Sequence, residues 1–475
     1  MSKRLVIHWF RQDLRISDNP ALYAANKAGH IMPIFILDKN ECSINYKQGA
    51  ASNCWLHYSL ESLNIDLNYK LNIYIGNPIE VLTKLAIRYS VDTVFWNRCY
   101  DNYSIRRDNL IKEELKKVNV QIQAFNSLLL LEPWENLNFD NKPYRVFTFF
   151  YKKSYLKIKS PRKIISKPKN MFLVKDLKNQ KLIYNLKLLP KINWFKKIKN
   201  YWIISENGAY NVLRNFLNFH FKNYKEGRNF PEENHISRLS PYLHHGNISI
   251  SHIWNASYKK AQLEGWVDSL ECFHKELVWR EFSYSTLFHF PKLPYKNFQE
   301  KFNKFPWKIN SILLKSWQKG QTGYPIIDAG MRELWETGYM HNRIRMITSS
   351  FLVKNLLLDW RIGAAWFWNC LVDADLANNS ASWQWIAGCG ADAAPYFRIF
   401  NPVIQSKKFD PNGQYIRKYI PEISQLSNQY LFEPWKAPQE VLKAANIKLG
   451  INYPVPIVDL KESRISALQA LKMLN

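Results

Sequence analysis

Over the first 130 residues, short apolar runs alternate with amphipathic stretches. Residues 5–10 (LVIHWF), 31–37 (IMPIFIL), Leu71–Ile75, Asp92–Asn97 and Val120–Phe125 read as buried strands. Asp18 or Asn19 followed by Pro20 marks a helix start. Residues 78–90 (PIEVLTKLAIRYS) place Leu82, Leu85, Ala86 and Tyr89 on one helical face, and a charged helix runs from about Ser104 to Lys117. Strands alternating with helices predict a parallel, doubly wound, Rossmann-like α/β domain over residues 1–131. Residues 132–200 lose both periodicities. They carry Pro133, Pro143, Pro161, Pro168 and Pro190, and read as an irregular, lysine-rich connector crossing the surface. From about residue 201 to 475 helical spacing takes over, in segments such as Tyr210–Tyr224, Asp268–Phe288 and Arg343–Trp360, which predicts an all-α domain.

Composition sharpens this picture. At 475 residues the chain holds two domains or more, and 47% hydrophobic with 15% aromatic content excludes a largely disordered protein. The net charge is +27, from 66 basic and 39 acidic residues, which suggests a polyanionic partner. Residues 151–200 hold 16 Lys or Arg and one acid, so +15 of that charge sits in the connector, where a solvated linker explains it as well as a binding face. The cysteines Cys42, Cys54, Cys99, Cys272, Cys370 and Cys389 form no CxxC pair, and the histidines lack zinc-like spacing, so free thiols in a reducing compartment and no metal site are expected. The opening MSKRLVIHWFRQDLR reads as no signal peptide, and no apolar run approaches membrane-spanning length. A soluble, cytoplasmic protein is expected, with no membrane association and no obligate protein partner. The turn after the first strand, RQDLRIS, lacks G-x-G-x-x-G, so an ordinary NAD site is not expected.

The richest chemistry lies between Asp373 and Pro402 (DADLANNSASWQWIAGCGADAAPYFRIFNP). Two carboxylates, two amides, Trp383 and Trp385 in WQW, and Gly388 and Gly390 are crowded together. Glycine and alanine permit close backbone approach, and flat aromatics suit a flat ligand or an unstacked base, although tryptophans in a loop equally pack a core. Upstream lie ELVWREF (Glu276–Phe282), TGYPIIDAGMR (Thr322–Arg332) and MHNRIRM (Met340–Met346). With WQW, these motifs in this order resemble the photolyase/cryptochrome family. The likeness is closest to its bacterial class I cyclobutane pyrimidine dimer photolyases, which are light-driven, flavin-dependent DNA repair enzymes.

The resemblance implies roles residue by residue. Ser237-Arg238-Leu239-Ser240-Pro241 matches the loop that binds the FAD pyrophosphate; read alone, it is a helix N-cap with Ser240 capping and Pro241 in the first turn. Ile236 stands where relatives usually have Thr, Phe273 where they often have Trp, and Tyr224 matches a tyrosine near the cofactor. Asp373, Ala374, Asp375 and Asn379 match the surroundings of the flavin ring and ribityl chain, with an amide at Asn379 suited to a ring nitrogen that changes protonation. Arg345 is the expected partner of Asp373, because an isolated buried carboxylate is costly. Trp307, Trp360 and Trp383 match the electron-carrying tryptophan chain, although each alone is equally a core residue. Glu276, Trp279, Arg280, Asn342, Arg343, Met346, Trp385 and Arg398 match the pocket that takes a flipped lesion and its phosphates. The resemblance also implies an antenna, 5,10-methenyltetrahydrofolate. Tyr103-Ser104 stands where folate-binding relatives have Asn-Glu, which leaves a deazaflavin or no antenna as alternatives.

The implied function is a monomeric deoxyribodipyrimidine photo-lyase, in which photoexcited reduced FAD passes an electron to the dimer in damaged DNA and regains it. Two alternatives are a cryptochrome-type photoreceptor, disfavoured by the short C-terminus and by Asn342 and Met346, and a six-four photoproduct enzyme. The latter uses a histidine pair, whereas His341 here stands beside Asn342.

Overall fold

The strand Leu5–Phe10 (β1) is buried at every position after Leu5, His8 included, with His8 Nε2 3.6 Å from Asp13 Oδ2. A computed structural model describes the chain at residues 4–38, 47–158, 162–179, 181–393 and 397–474. Pro161, Pro395 and Cys42 lie outside the described residues. After β1 come α1 (Pro20–Ala28), β2 (His30–Asp38), α2 (Ala50–Asp66), β3 (Asn72–Gly76), α3 (Pro78–Tyr89), β4 (Thr93–Asn97), α4 (Asn102–Lys117) and β5 (Gln121–Phe125). The predicted start of α1 is present: the Asn19 side chain accepts the Leu22 N–H at 3.1 Å and Pro20 opens the helix. The strands pair in parallel in the order β3-β2-β1-β4-β5. Separate apolar clusters cover its two faces, one around Val6, Phe10, Leu22 and Leu60, the other around Ile7, Trp9, Trp96 and Ile111.

The strand order reverses between β1 and β4, where doubly wound sheets leave a crevice at the carboxyl ends of the strands. Side chains of the protein occupy it. Arg11, directly after β1, donates to both Asp108 oxygens at 2.8 and 2.7 Å, with its guanidinium 4.8 Å from the Trp9 ring. Arg107 lies 4.9 Å from the same ring and reaches Asp38 at 3.4 Å, and Tyr103 donates to Asp38 at 2.7 Å. Ser104 is buried in the first turn of α4, where its N–H meets the Asp101 cap at 2.9 Å.

Beyond the sheet, three sequence expectations are corrected. The stretch 132–200 is not irregular throughout. It holds α5 (Phe147–Ile158), a short turn at Ile183–Leu186 and a helix at Phe195–Tyr201. In α5 the lysines interrupt the apolar pattern, but Phe147, Phe150, Ser154 and Ile158 still fall on one buried face. The stretch Arg343–Trp360 is not one helix: Asn342–Ser350 runs into a π-helical turn, Phe351–Asn355, and stops. Leu357 then takes a φ of 54°, and Asp359 caps a new helix, Trp360–Cys370, by accepting the Arg361 N–H at 2.9 Å. Tyr210–Tyr224 is likewise divided, the helix Glu206–Asn215 passing into a π turn at Phe216–His220. Asp268–Phe288 is present as the long helix Val267–His289.

Two compact units result. One comprises Met1–Lys222, Ser237–Pro291 and Val372–Ala377, the other Asn223–Ile236, Lys292–Leu371 and Asn378–Asn475. Among the described residues, no helix is long and apolar enough to cross a membrane.

Within the first unit, the loop after β1 docks on residues 245–247. Leu14 N–H donates to His245 O at 3.2 Å, Arg15 Nη1 to Gly246 O at 2.9 Å, and Asn247 Nδ2 to Leu14 O at 3.2 Å. Gly246 makes this possible: its φ is +72°, and a Cβ there would stand 2.1 Å from the Gln12 carbonyl oxygen. Gly246→Ala should destabilise the chain by roughly 2–4 kcal/mol, from left-handed strain plus a backbone clash. Urea denaturation of both proteins checks this; an unchanged midpoint would contradict it.

Candidate functional site

The first unit gathers its candidate residues around two buried carboxylates. Asp373, Ala374 and Asp375 are all buried. The Ser240 hydroxyl does not cap its helix, as the sequence suggests. It donates to Asp373 Oδ2 at 2.5 Å, and the helix Ser240–His244 has no side-chain cap. Ser240 is already the first helical residue, after Leu239 at the cap position, and its hydroxyl serves as a donor to a carboxylate 133 residues away. One turn on, His244 Nδ1 lies 3.4 Å from Asp375 Oδ2, which also accepts the Tyr284 hydroxyl. Burial alone would raise the Asp375 pKa. The bond to His244 and its charge, the charge of Arg280 and the Tyr284 hydroxyl outweigh burial and hold it at about 2. Leu239 is buried, and Arg238, at a φ of 51°, meets the Tyr201 hydroxyl and lies 5.5 Å from its ring. The half-buried Ser237 and Ile236 complete the stretch, with Ile236 at the edge of the second unit.

The helix Val267–His289 carries the WREF motif. Phe273 is buried against Phe216 and Phe221, with ring centroids 5.0 and 5.7 Å away. Glu276 and Trp279 are half-buried and three residues apart, hence neighbours on one helix face. Arg280 was expected at DNA phosphates. Its side chain is only 10% exposed; Nη1 donates to Leu128 O at 2.9 Å, and the guanidinium lies 4.7 Å from the Tyr284 ring. Its Nη2 is buried without a protein hydrogen-bond partner, a donor that an acceptor-rich ligand would satisfy. Next to it, Glu281 accepts the Leu130 and Leu131 N–H groups at 2.9 and 3.2 Å, so this helix holds the start of the connector.

The second unit holds the remaining candidates. His341 accepts the Arg343 N–H at 3.2 Å and so starts the helix Asn342–Ser350. Asn342 is exposed. Arg343 donates to Asn229, lies 4.4 Å from the Phe409 ring and has Nη1 3.7 Å from Met346 Sδ. Arg345 donates Nε to Met340 O at 2.7 Å and rests 5.1 Å from the Tyr339 ring. Tyr224 is buried, with the Arg228 guanidinium 5.5 Å from its ring. Asn379 donates Nδ2 to Ala364 O at 3.1 Å. Trp385 and Arg398 line one small cleft together with Lys354, Gly388 and Phe397.

The three tryptophans expected to carry electrons lie on neighbouring segments of the second unit. Lys308 pairs with Leu358 in a single bridge, and its N–H donates to Leu357 O at 2.8 Å, so the segment of Trp307 runs beside the residues that precede the helix begun at Trp360. Gly363, three residues after Trp360, faces the Trp383 indole so closely that a Cβ would stand 2.2 Å from it. Trp383 and Trp360 are buried, and Trp307 is half-buried.

A family model described as the FAD binding domain of DNA photolyase matches residues 273–473, and the DNA photolyase model matches residues 6–168. The deoxyribodipyrimidine photo-lyase of Agrobacterium fabrum is 42% identical over 98% of this chain and 97% of its own length. The chain belongs to the photolyase/cryptochrome family. Cryptochrome-1 of Arabidopsis thaliana is 34% identical over 98% of this chain and 70% of its own. Among solved structures, a bacterial class III photolyase from Agrobacterium tumefaciens superposes with a TM-score of 0.95 at 41% identity, over 100% of this chain and 98% of that one. A Synechocystis cryptochrome gives 0.88 at 28% identity, covering 99% of each. The class I likeness expected from the motifs stands here beside relatives that include a class III photolyase and two cryptochromes.

The FAD binding domain of this family is present, and residues of the first unit fit such a group: paired buried carboxylates and a buried Arg280 nitrogen without a protein hydrogen-bond partner. Three neighbours of the candidate residues escaped the sequence reading, namely His244 and Tyr284 beside Asp375 and Phe147 beside Trp279. The first was signalled by its position one turn after Ser240; the others depend on packing.

Burial raises the Glu281 pKa to about 7, against the pull of Arg280 and the two backbone donors. Its ordinary value is 4.5, so folding binds this proton more tightly. The contribution is full below about pH 4.5 and drains away as pH rises towards 7. Glu281→Gln cannot titrate. From pH 4.5 to 7.5 the variant should therefore gain on the order of 2–3 kcal/mol relative to wild type. Denaturation at several pH values reads this directly, and a pH-independent difference would contradict it.

Proposed function

We propose that this protein is a monomeric, cytoplasmic enzyme that repairs cyclobutane pyrimidine dimers in DNA under near-ultraviolet or blue light. The observation that carries the reading is Trp279. It is a half-buried indole, with Glu276 one turn away, on a helix whose following residue belongs to the charged Asp375 cluster. An indole plane suits two thymines whose mutual stacking is already lost, so extruding them costs less than extruding an intact pair. Glu276 and Asn342 offer hydrogen bonds to base edges, and Met346 adds apolar surface. Trp385 gives a second plane, with Arg343 and Arg398 for backbone phosphates.

Reduced FAD, when bound, supplies the light-driven electron that opens the cyclobutane ring and takes it back. Ser237–Ser240 with Arg238 hold its phosphates. Asp373, Asp375 and Arg280 fix the charge around it, and the Asn379 amide offers both donor and acceptor. Trp383, Trp360 and Trp307 carry electrons inward when the cofactor is oxidised. The side chains filling the switch-point crevice and the Tyr103-Ser104 pair support weak folate-antenna binding or none.

The test is illumination of the reduced holoprotein with an oligonucleotide bearing one thymine dimer. Restored thymines in the light and none in the dark are expected. Binding without repair would leave the cryptochrome-type photoreceptor as the better reading. Trp279→Ala should lose stacking of about 1–3 kcal/mol and weaken lesion binding more than binding to undamaged DNA, measured by titration of both duplexes. Trp383→Phe should abolish photoreduction of oxidised flavin while chemically reduced enzyme still repairs; undiminished photoreduction would make these indoles packing residues only.

A further inference from the structure

We infer that Phe147, in the stretch that reads as connector, is a positioning residue for damaged DNA: it is the platform on which Trp279 is held. The inference rests on the reading of Trp279 as the lesion-stacking residue. The two rings stack with centroids 3.5 Å apart and planes 6° from parallel. Phe147 is itself only 3% exposed. It is fixed by Tyr151, stacked at 5.8 Å, and by Phe282, edge-on at 5.9 Å. Phe282 also meets Trp279 edge-on at 5.8 Å and Phe150 at 5.2 Å. Phe147 and Phe150 lie one turn apart on α5, and Trp279 and Phe282 one turn apart on Val267–His289, so the two helices interlock four rings. On the same buried face of α5, the Asn136 amide donates to the Ser154 hydroxyl and further fixes the helix.

Two consequences follow. One face of the indole is covered, so a base can stack on the opposite face only. The indole cannot turn about its side-chain bonds without breaking the stack, so its orientation exists before DNA arrives. A side chain ordered in advance spares the ordering cost of binding, and an aromatic lost from beneath it returns that cost as an affinity loss of about 2- to 12-fold.

The test uses the flavin-bound full chain and two duplex oligonucleotides, one with a single cyclobutane thymine dimer and one undamaged. Phe147→Ala should weaken binding to the dimer about 2- to 12-fold and lower the ratio of damaged to undamaged affinity. Phe147→Tyr, which keeps the ring, should restore that ratio. In a Trp279→Ala background, Phe147→Ala should change the ratio no further, because the residue acts through the indole. Phe147→Leu keeps the buried volume without a ring face and should behave like Phe147→Ala, so a folding failure of the alanine variant leaves the test intact. Equal weakening of both duplexes, or the full effect persisting without Trp279, would make Phe147 a core residue and overturn the inference. Normal lesion preference in Trp279→Ala alone would instead remove the lesion role of Trp279, and the platform role with it.

Discussion

Asp375 is a carboxylate withdrawn from water, 6% exposed, that stays charged only because of what surrounds it. Burial acts against the charge and is the largest single influence on it; His244, Arg280 and Tyr284 together overcome it. An unpaired buried charge costs several kcal/mol, so the segments that supply these partners have little freedom to move apart. His244 comes from the short helix begun at Ser240, and Arg280 and Tyr284 from the helix of the WREF motif. Asp373, two residues before Asp375, takes the Ser240 hydroxyl. The same helix reaches outward as well: Arg280 and Glu281 hold the backbone of residues 128–131. One electrostatic constraint thereby sets the mutual register of three separate stretches of chain, and the proposed flavin and lesion contacts of the first unit lie along them.

The strands of the sheet were legible because a run such as LVIHWF has one polar position, His8, and no alternation that would turn a face towards water. The start of α1 was equally plain from Asn19-Pro20. The helix α2 was not. Its buried face includes Ser52, Cys54, His57 and Ser59, so no apolar stripe marks it. The break before Trp360 was hidden for the opposite reason: apolar residues continue through Leu356, Leu357 and Leu358, all buried, while the backbone changes course beneath them.

The candidate site divides along the same line. Motif residues such as Trp279, Asp373 and Trp383 were found by resemblance. Residues whose role depends on a partner distant in sequence were not. Ser240 looks like a cap until Asp373 is beside it, Arg280 like a phosphate ligand until Leu128 O accepts its hydrogen bond, and Phe147 like linker until Trp279 lies on it. In the second unit, 18 tryptophans in the whole chain make any single indole unremarkable in sequence. The Lys308–Leu358 bridge sets the segment of Trp307 beside that of Trp360, and the bare face of Gly363 admits Trp383 to the helix begun at Trp360.

If the charge of Asp375 organises the flavin-facing residues, its removal should cost cofactor binding more than it costs the fold. The direct measurement is the FAD dissociation constant of the full-length Asp375→Asn variant, by fluorescence titration, beside its helical content. The account predicts FAD affinity at least about 10-fold weaker, the loss of one charged hydrogen-bonded contact, with helical content unchanged. Wild-type FAD affinity in a folded Asp375→Asn protein would contradict it.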